Sequence, residues 1–415
     1  MKVNKNVYDP KISIDYPFFK DDINNLRSFN AMSIATTIFN FEKKMGRDMI
    51  KEVYLRILET GLKGDINDDL IDLISFTFFE YVKFKLKPTE FPFKEPKKDK
   101  PKEEYDAVCL FSGGIDSYSG ILNSKKHFNN LQGVFIAHTD QKKIIKIVKD
   151  LSEEVLEQKG IDLFKLNAPS MGKGGYSQTR GFLYMLSAAG HMNLVGADKL
   201  IVSECGPTMY QPQFGPADSV TLTSNPVVID ITKKIIPKIL KKNIKIITPF
   251  EDLTKAEVMA ISPLKGNLEL THSCITQRFG DHCGVCYGCV VRRLGGIAAG
   301  IKDASYRKNP ILDKNANSEN LHSLLIFSQD ILLDFEGMEY YQRKNIDAYQ
   351  KEDLFTRFAL DNFAAIHRLI KDNKDVTKVV RILYSETVKE IGAKKLDERI
   401  EALENGNFTP NYSEF

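Results

Sequence analysis

Two short stretches of this sequence concentrate residues able to do chemistry. The first is Ser112-Gly-Gly-Ile-Asp-Ser117. Its glycines let the backbone approach an anion closely and adopt positive φ. A helix starting directly after them would aim free N–H groups and its dipole at that anion. Ser112 and Ser117 add hydroxyl donors, and Asp116 offers a carboxylate able to hold a Mg²⁺ bridging phosphate oxygens. The loop is expected to face the surface. No Gly-Lys-Ser/Thr follows, so this is not a Walker loop. A bare Gly-Gly turn would read as a plain strand-to-helix corner. The complete run, placed after the apolar Ala107-Val-Cys-Leu-Phe111, points to a nucleotide phosphate.

The second stretch is Cys274-x8-Cys283-x2-Cys286-x2-Cys289, four of the six cysteines within 16 residues. Four thiolates at these spacings suit one tetrahedral Zn²⁺ in a closed structural site. Cys283, Cys286 and Cys289 also have the spacing of an iron–sulfur ligand run, although no Cys-Pro follows. Cys109, inside an apolar run, and Cys205, with no placed base, read as inert thiols. His138 reads as a polar cap on a strand end, His272 and His282 as residues outside the thiolate shell, and Lys173 as a cation on the glycine-rich loop Met171–Gly175.

Elements must position these groups. Short apolar runs at 107–111, 131–137, 161–166, 199–202 and 244–247 alternate with helical periods near 115–127, 142–158 and 179–195. This rhythm predicts an α/β fold: a parallel, doubly wound sheet with helices on both faces. Ligands of such sheets bind beyond the carboxyl ends of the strands, which selects the loops at 112–117, 138–141, 167–180 and 203–224. Residues 1–93 are expected to be mostly helical, from Ile50, Val53, Tyr54, Ile57 and Leu58 and then Leu70, Leu73, Ile74, Phe78 and Tyr81 at helical spacing. Residues 94–104 form a charged linker, 105–300 the α/β domain with the cysteine motif at 274–289, and 301–415 a second helical region. There Ala359, Phe363, Ile366 and Ile370 share one face, with similar periods around 320–335 and 376–392.

Composition bounds the possibilities. At 415 residues the chain suits two or three domains. Lys+Arg 58 against Asp+Glu 55 gives +3, which lends no support to a general nucleic-acid scaffold. No apolar run of about 18 residues occurs, and Met1–Pro10 lacks a signal-peptide core, so no membrane span and a cytoplasmic location are expected.

The run Ser-Gly-Gly-x-Asp-Ser closely resembles the PP-loop of ATP pyrophosphatases, which adenylate a carboxylate or carbonyl and release pyrophosphate. The resemblance implies a HUP-like fold in which Ser112, Gly113, Gly114, Asp116 and Ser117 bind ATP with Mg²⁺. Joined to the four cysteines and the following Arg292, it resembles the QueC family, the 7-cyano-7-deazaguanine synthases. Asp140-Gln141 is similar to that family's Tyr-Gly-Gln. Arg180, opening the helix before Gly196–Val202, is similar to its Pro-Gly-Arg-Asn, and Thr248–Glu257 to its Pro-Leu…Lys-x-Glu segment. About residues 105–300 are covered, under half of the chain.

The resemblance implies an ATP-dependent C–N bond-forming ligase with zinc in a structural role. Such an enzyme adenylates 7-carboxy-7-deazaguanine for attack by ammonia, here with Asp116, Ser117, Arg180 and Lys255 as the catalytic set. Two departures stand out: Gly181 replaces the family's Asn, and Glu204–Gly215 differs from the usual base-pocket loop. The added flanks resemble enlarged QueC-like components of anti-phage systems, QatC and those of type IV CBASS. That implies a defence role, a protein partner docking on the helical regions, and a protein amine as a possible acceptor. A catalytically silent nucleotide-binding subunit and a tRNA-modifying PP-loop enzyme are the alternatives.

Overall fold

In a computed structural model the chain is described at residues 7–9, 16, 18–44, 50–78, 80–92, 104–171, 177–212, 222–276, 282–316, 318–334 and 348–413. The linker expected at 94–104 lies outside these except for Glu104, as does Lys173.

The apolar runs after residue 105 form the expected sheet. Strands β4 (Ala107–Leu110), β5 (Leu131–His138), β6 (Asp162–Ala168), β7 (Lys199–Ile201) and β8 (Lys245–Ile247) pair in parallel, in the order β6-β5-β4-β7-β8. All eight residues of β5 are buried, as a strand covered on both faces must be. The crossovers run through α3 (Ile115–Ser124), α4 (Lys142–Leu151), α5 (Arg180–Val195), and α6 (Gly206–Met209) with α7 (Pro226–Leu240). The order reverses between β4 and β7, so the two strand ends part there and open a crevice. After β8 come α8 (Lys255–Ala260) and α9 (Tyr287–Ala298).

The N-terminal expectation needs correction. The segment read as a helix around 50–58 is strand β2 (Glu52–Ile57), the centre of a parallel sheet between β1 (Val7–Tyr8) and β3 (Lys83–Pro88). Val53, Leu55 and Ile57 are its buried side chains, a two-residue period. Counting Ile50, Val53, Tyr54, Ile57 and Leu58 imitated a helix, because it left out Leu55 and the buried Glu52. The second pattern is helical, as α2 (Asn67–Phe78), but Tyr81 lies beyond its end and is exposed. Helix α1 (Ile23–Glu42) joins β1 to β2 and packs along α5, so the two sheets share one hydrophobic core. Along β3 the lysines 83, 85 and 87 alternate with the inward Phe84 and Leu86.

The chain is helical again in α10 (Glu319–Leu333), α11 (Glu352–Lys371), α12 (Lys378–Ile391) and α13 (Ala393–Asn405). Helix α11 packs on α9, and α13 on α8. Among the described residues no helix is long and apolar enough to cross a membrane.

Candidate active site and metal centre

The Ser112–Ser117 loop turns from β4 into α3 through Gly113, whose φ of +78° favours glycine and whose absent Cβ would lie 2.9 Å from a methyl of Val148. The Ser112 amide donates to Ser117 Oγ (3.1 Å), Ser117 Oγ donates to the Gly114 carbonyl (3.1 Å), and the two hydroxyls lie 3.1 Å apart. Gly114 is the N-cap of α3 and no side chain caps that end, so the helix presents its free N–H groups to the crevice. The loop is less open than expected: Ser112 is exposed, but Asp116 and Ser117 are buried.

Asp116, in the first turn of α3, forms an ion pair with Lys255, the first residue of α8. Its Oδ1 is buried and accepts no hydrogen bond from a backbone, hydroxyl or cationic donor among the described residues, and the Glu204 carboxyl stands next to Asp116. Burial and the Asp116 charge push the Glu204 carboxyl up to about 7. Burial works against the Lys255 ammonium, yet Asp116, Cys205 and Glu204 hold it above its usual range. Arg180, the first residue of α5, reaches Thr223 Oγ1 at 3.5 Å, and its buried Nε has no partner among the described residues. Sequence reasoning singled out Asp116, Lys255 and Arg180 but not Glu204. Its signal was position: it follows β7 at the carboxyl edge where the strand order reverses.

Two adjoining pockets share this crevice. One, of about 230 Å³, is lined by Asp116, Glu204, Thr208, Gln211 and Lys255, and by Tyr287 of α9. The other, of about 280 Å³, runs over the ends of β4 and β5 past Val134, Ile136 and Gln141 to Tyr184. Ser112, Ser117, Arg180, Glu204, His272 and Ser273 border both. Convergent charges at Asp116 and Lys255 beside a space lined by Val134, Ile136 and Tyr184 suit a ligand with a charged end and a flat body.

The departure at Gly181 has a steric cause. A Cβ there would lie 1.4 Å from the Thr223 carbonyl oxygen, so an Asn in this place would have to displace the loop before α7. Gly181→Ala should destabilise the protein by about 1–3 kcal/mol, the usual range for forcing atoms into packed space. An unchanged urea midpoint would contradict that contact.

The four cysteine sulfurs lie within 4.8 Å of one another, with Cys283–Cys289 at 3.8 Å and Cys274–Cys286 at 4.0 Å. Four Zn–S bonds of about 2.3 Å in a tetrahedron put sulfurs about 3.8 Å apart. The donor set therefore fits a single ion, whereas a multi-iron cluster would hold its thiolates on separate irons, farther apart. Backbone N–H groups of Val285 and Cys286 point at Cys283 Sγ (3.5 and 3.3 Å), the support a thiolate needs. Arg292 is fully buried and does not face the pockets. It forks onto Asp303 and donates to the Leu268 and Thr271 carbonyls, tying α9 to the segment before Cys274. His282 Nε2 accepts from the Ser273 amide (3.2 Å) and lies 3.0 Å from Arg292, and burial and that guanidinium push it down to about 4. Elemental analysis should find about one zinc per chain. A visible chromophore in anaerobically purified protein would overturn zinc.

Four further candidates sit in packed or hydrogen-bonded surroundings. His138 is buried between the Pro169 carbonyl and Tyr184 Oη, and burial pushes it down to about 4. Asp140 accepts from Ser170 Oγ and the Met171 amide. Cys109 and Cys205 are fully buried, and burial pushes both thiols up to about 12.

A parallel sheet of this order, with an uncapped glycine loop at its reversal point, makes an α/β fold consistent with the PP-loop kind. Residues 221–300 match the family described as Queuosine biosynthesis protein QueC. The chain is 25% identical over 228 residues to a 7-cyano-7-deazaguanine synthase of Methanothrix thermoacetophila, which covers 48% of this chain and 96% of the relative. It is 27% identical over 230 residues to a protein of the same description from Acetivibrio thermocellus, covering 48% and 95%. The chain is thus similar to these synthases over about half of its length.

Proposed function

We propose that the protein is an ATP-dependent synthetase that adenylates the carboxylate of 7-carboxy-7-deazaguanine and joins it to an amine. The observation that carries this reading is the convergence of Asp116, Lys255, Arg180 and the uncapped start of α3 on adjoining pockets at the sheet's reversal point. The names of the two relatives support the substrate class.

In this reading Ser112, Gly113, Gly114, Asp116 and Ser117 cradle the β- and γ-phosphates. Asp116, whose Oδ1 accepts from no backbone, hydroxyl or cationic donor among the described residues, would hold a Mg²⁺, which would supply neutralising charge for departing pyrophosphate. Lys255 and Arg180 bracket the crevice, where they orient the carboxylate and α-phosphate. A zinc held by Cys274, Cys283, Cys286 and Cys289 would fix the pocket wall formed by Tyr287, Gly288 and Val291. Residues 105–300 are the catalytic unit, acting in the cytoplasm. The acceptor is either ammonia, giving the nitrile, or a protein amine within an anti-phage system, with the partner docking on the flanking regions.

Purified protein, ATP, Mg²⁺, 7-carboxy-7-deazaguanine and ammonium should release pyrophosphate in step with AMP. Tight ATP binding with no turnover of any candidate carboxylate would instead make the protein a silent nucleotide-binding subunit. Repeating the reaction with the protein encoded next door tests the acceptor. A mass gain of one deazaguanine acyl group supports a protein amine, and free nitrile with the partner unmodified supports ammonia.

A further inference from the structure

The helices that deliver Arg180 and Lys255 are both held at their N-terminal ends by residues from the N- and C-terminal regions of the chain. Helix α5 starts at Arg180, and its N-cap Thr179 makes no capping bond of its own. Glu42, the last residue of α1, instead holds the turn that leads into the helix. Its carboxylate accepts from the Gln178 amide (2.6 Å), the Thr179 amide (3.1 Å), Thr179 Oγ1 (2.6 Å) and Ser177 Oγ. A carboxylate there satisfies the donors of that turn and, lying at the N-terminal end of the helix, complements its dipole. Because it comes from another element, it also fixes where the helix begins.

Helix α8 starts at Lys255 behind a capping box of Thr254 and Glu257. Both members of the box are held from the C-terminal region. Thr254 Oγ1 donates to Asp361 of α11 (2.5 Å), and Glu257 receives Arg399 of α13 (2.6 Å) and Arg357 of α11. Arg399 also pairs with Asp361 at 2.7 Å, all of this with Glu257, Asp361 and Arg399 buried. None of Glu42, Asp361 and Arg399 lines either pocket.

We propose that Glu42 and the Arg399–Asp361 pair are positioning residues, through which the N- and C-terminal regions set where Arg180 and Lys255 stand in the crevice. The proposal rests on the reading of these two cations as ATP- and carboxylate-handling groups. It makes the flanking regions part of the site's geometry.

The test uses the full chain with Glu42→Gln, Arg399→Lys, Asp361→Asn and, as control, Lys371→Ala, which removes the exposed Lys371–Asp397 pair on the same helices. Thermal melts first establish that each variant is folded. Arg399→Lys keeps the charge and loses the planar fork, so it spares the buried carboxylates an unpaired state. The three positioning variants should lose about tenfold to a hundredfold in kcat for pyrophosphate release, the scale of an ångström-sized misplacement, with KM for ATP changing less. Lys371→Ala should match the parent. A second readout needs no turnover: labelling of Lys255 with an amine reagent and of Arg180 with phenylglyoxal, resolved by mass spectrometry. Lys255 labelling should rise severalfold in Arg399→Lys and Asp361→Asn, and Arg180 labelling should change in Glu42→Gln. If the parent protein proves inactive, the synthetase reading falls while the labelling still decides the positioning. Unchanged kcat and labelling in folded variants, or an equal loss in Lys371→Ala, would overturn the proposal.

Discussion

Asp116→Asn is expected to lower ATP-dependent pyrophosphate release by about 10²–10³-fold, the usual cost of removing one charge-stabilising group from a reaction centre. Asp116 sits in the first turn of α3, where the glycines, not its side chain, set the loop. Asn keeps the shape, so the helix start and the serine hydrogen bonds should survive. What is lost is the negative charge that pairs with Lys255 and would hold a divalent cation. Lys255 then has Glu204 as the remaining nearby carboxylate, which favours Asn over Ala as the cleaner test. Circular dichroism should show an unchanged fold. Near-normal turnover in this variant would remove the phosphate-loop assignment.

The second large effect is on stability. Cys286→Ser should release the metal and lower the melting midpoint by several degrees, since structural zinc sites contribute several kcal/mol and each kcal/mol is worth about 1 °C in a chain of 415 residues. The cysteine segment also forms one wall of the crevice, with Tyr287, Gly288 and Val291 of α9 on the polar pocket and Cys274 on the other. The variant should therefore also raise KM for the carboxylate while kcat falls less. Calorimetry and steady-state kinetics on one preparation separate the two. A midpoint unchanged after loss of the metal would deny it a structural role.

The centre of this fold could be read from the residues because its signals are local. Each strand from β4 to β8 is a short apolar run closed by a turn, and the phosphate loop and cysteine cluster are compact in sequence. The strand at 52–57 was misread because five apolar positions satisfied a helical spacing, while the side chains obey the two-residue period of a sheet formed with distant partners. Glu204 was passed over because its partners Asp116 and Lys255 come from other elements. Glu42, Asp361 and Arg399 lie still farther off: each reads as an ordinary charge on a helix, and only tertiary packing brings them to the ends of α5 and α8.

Strand β3 also bears on how this protein behaves in a crowded solution. It is an outer strand of its sheet, with β2 beside it on one side and no other strand paired to it among the described residues. Such a margin is a template on which a second chain can add its own strand. Lys83, Lys85 and Lys87 set three ammonium groups along it, and Pro88 removes one of the donors an incoming strand would use. Two copies meeting margin to margin would bring lysine against lysine at about 5 Å, where like charges repel. Two of these lysines are paired within their own molecule, Lys85 with Glu52 and Lys87 with Asp9. The strand is thereby finished on its own sheet and made inhospitable to another copy, a guard against self-association written into three alternate residues.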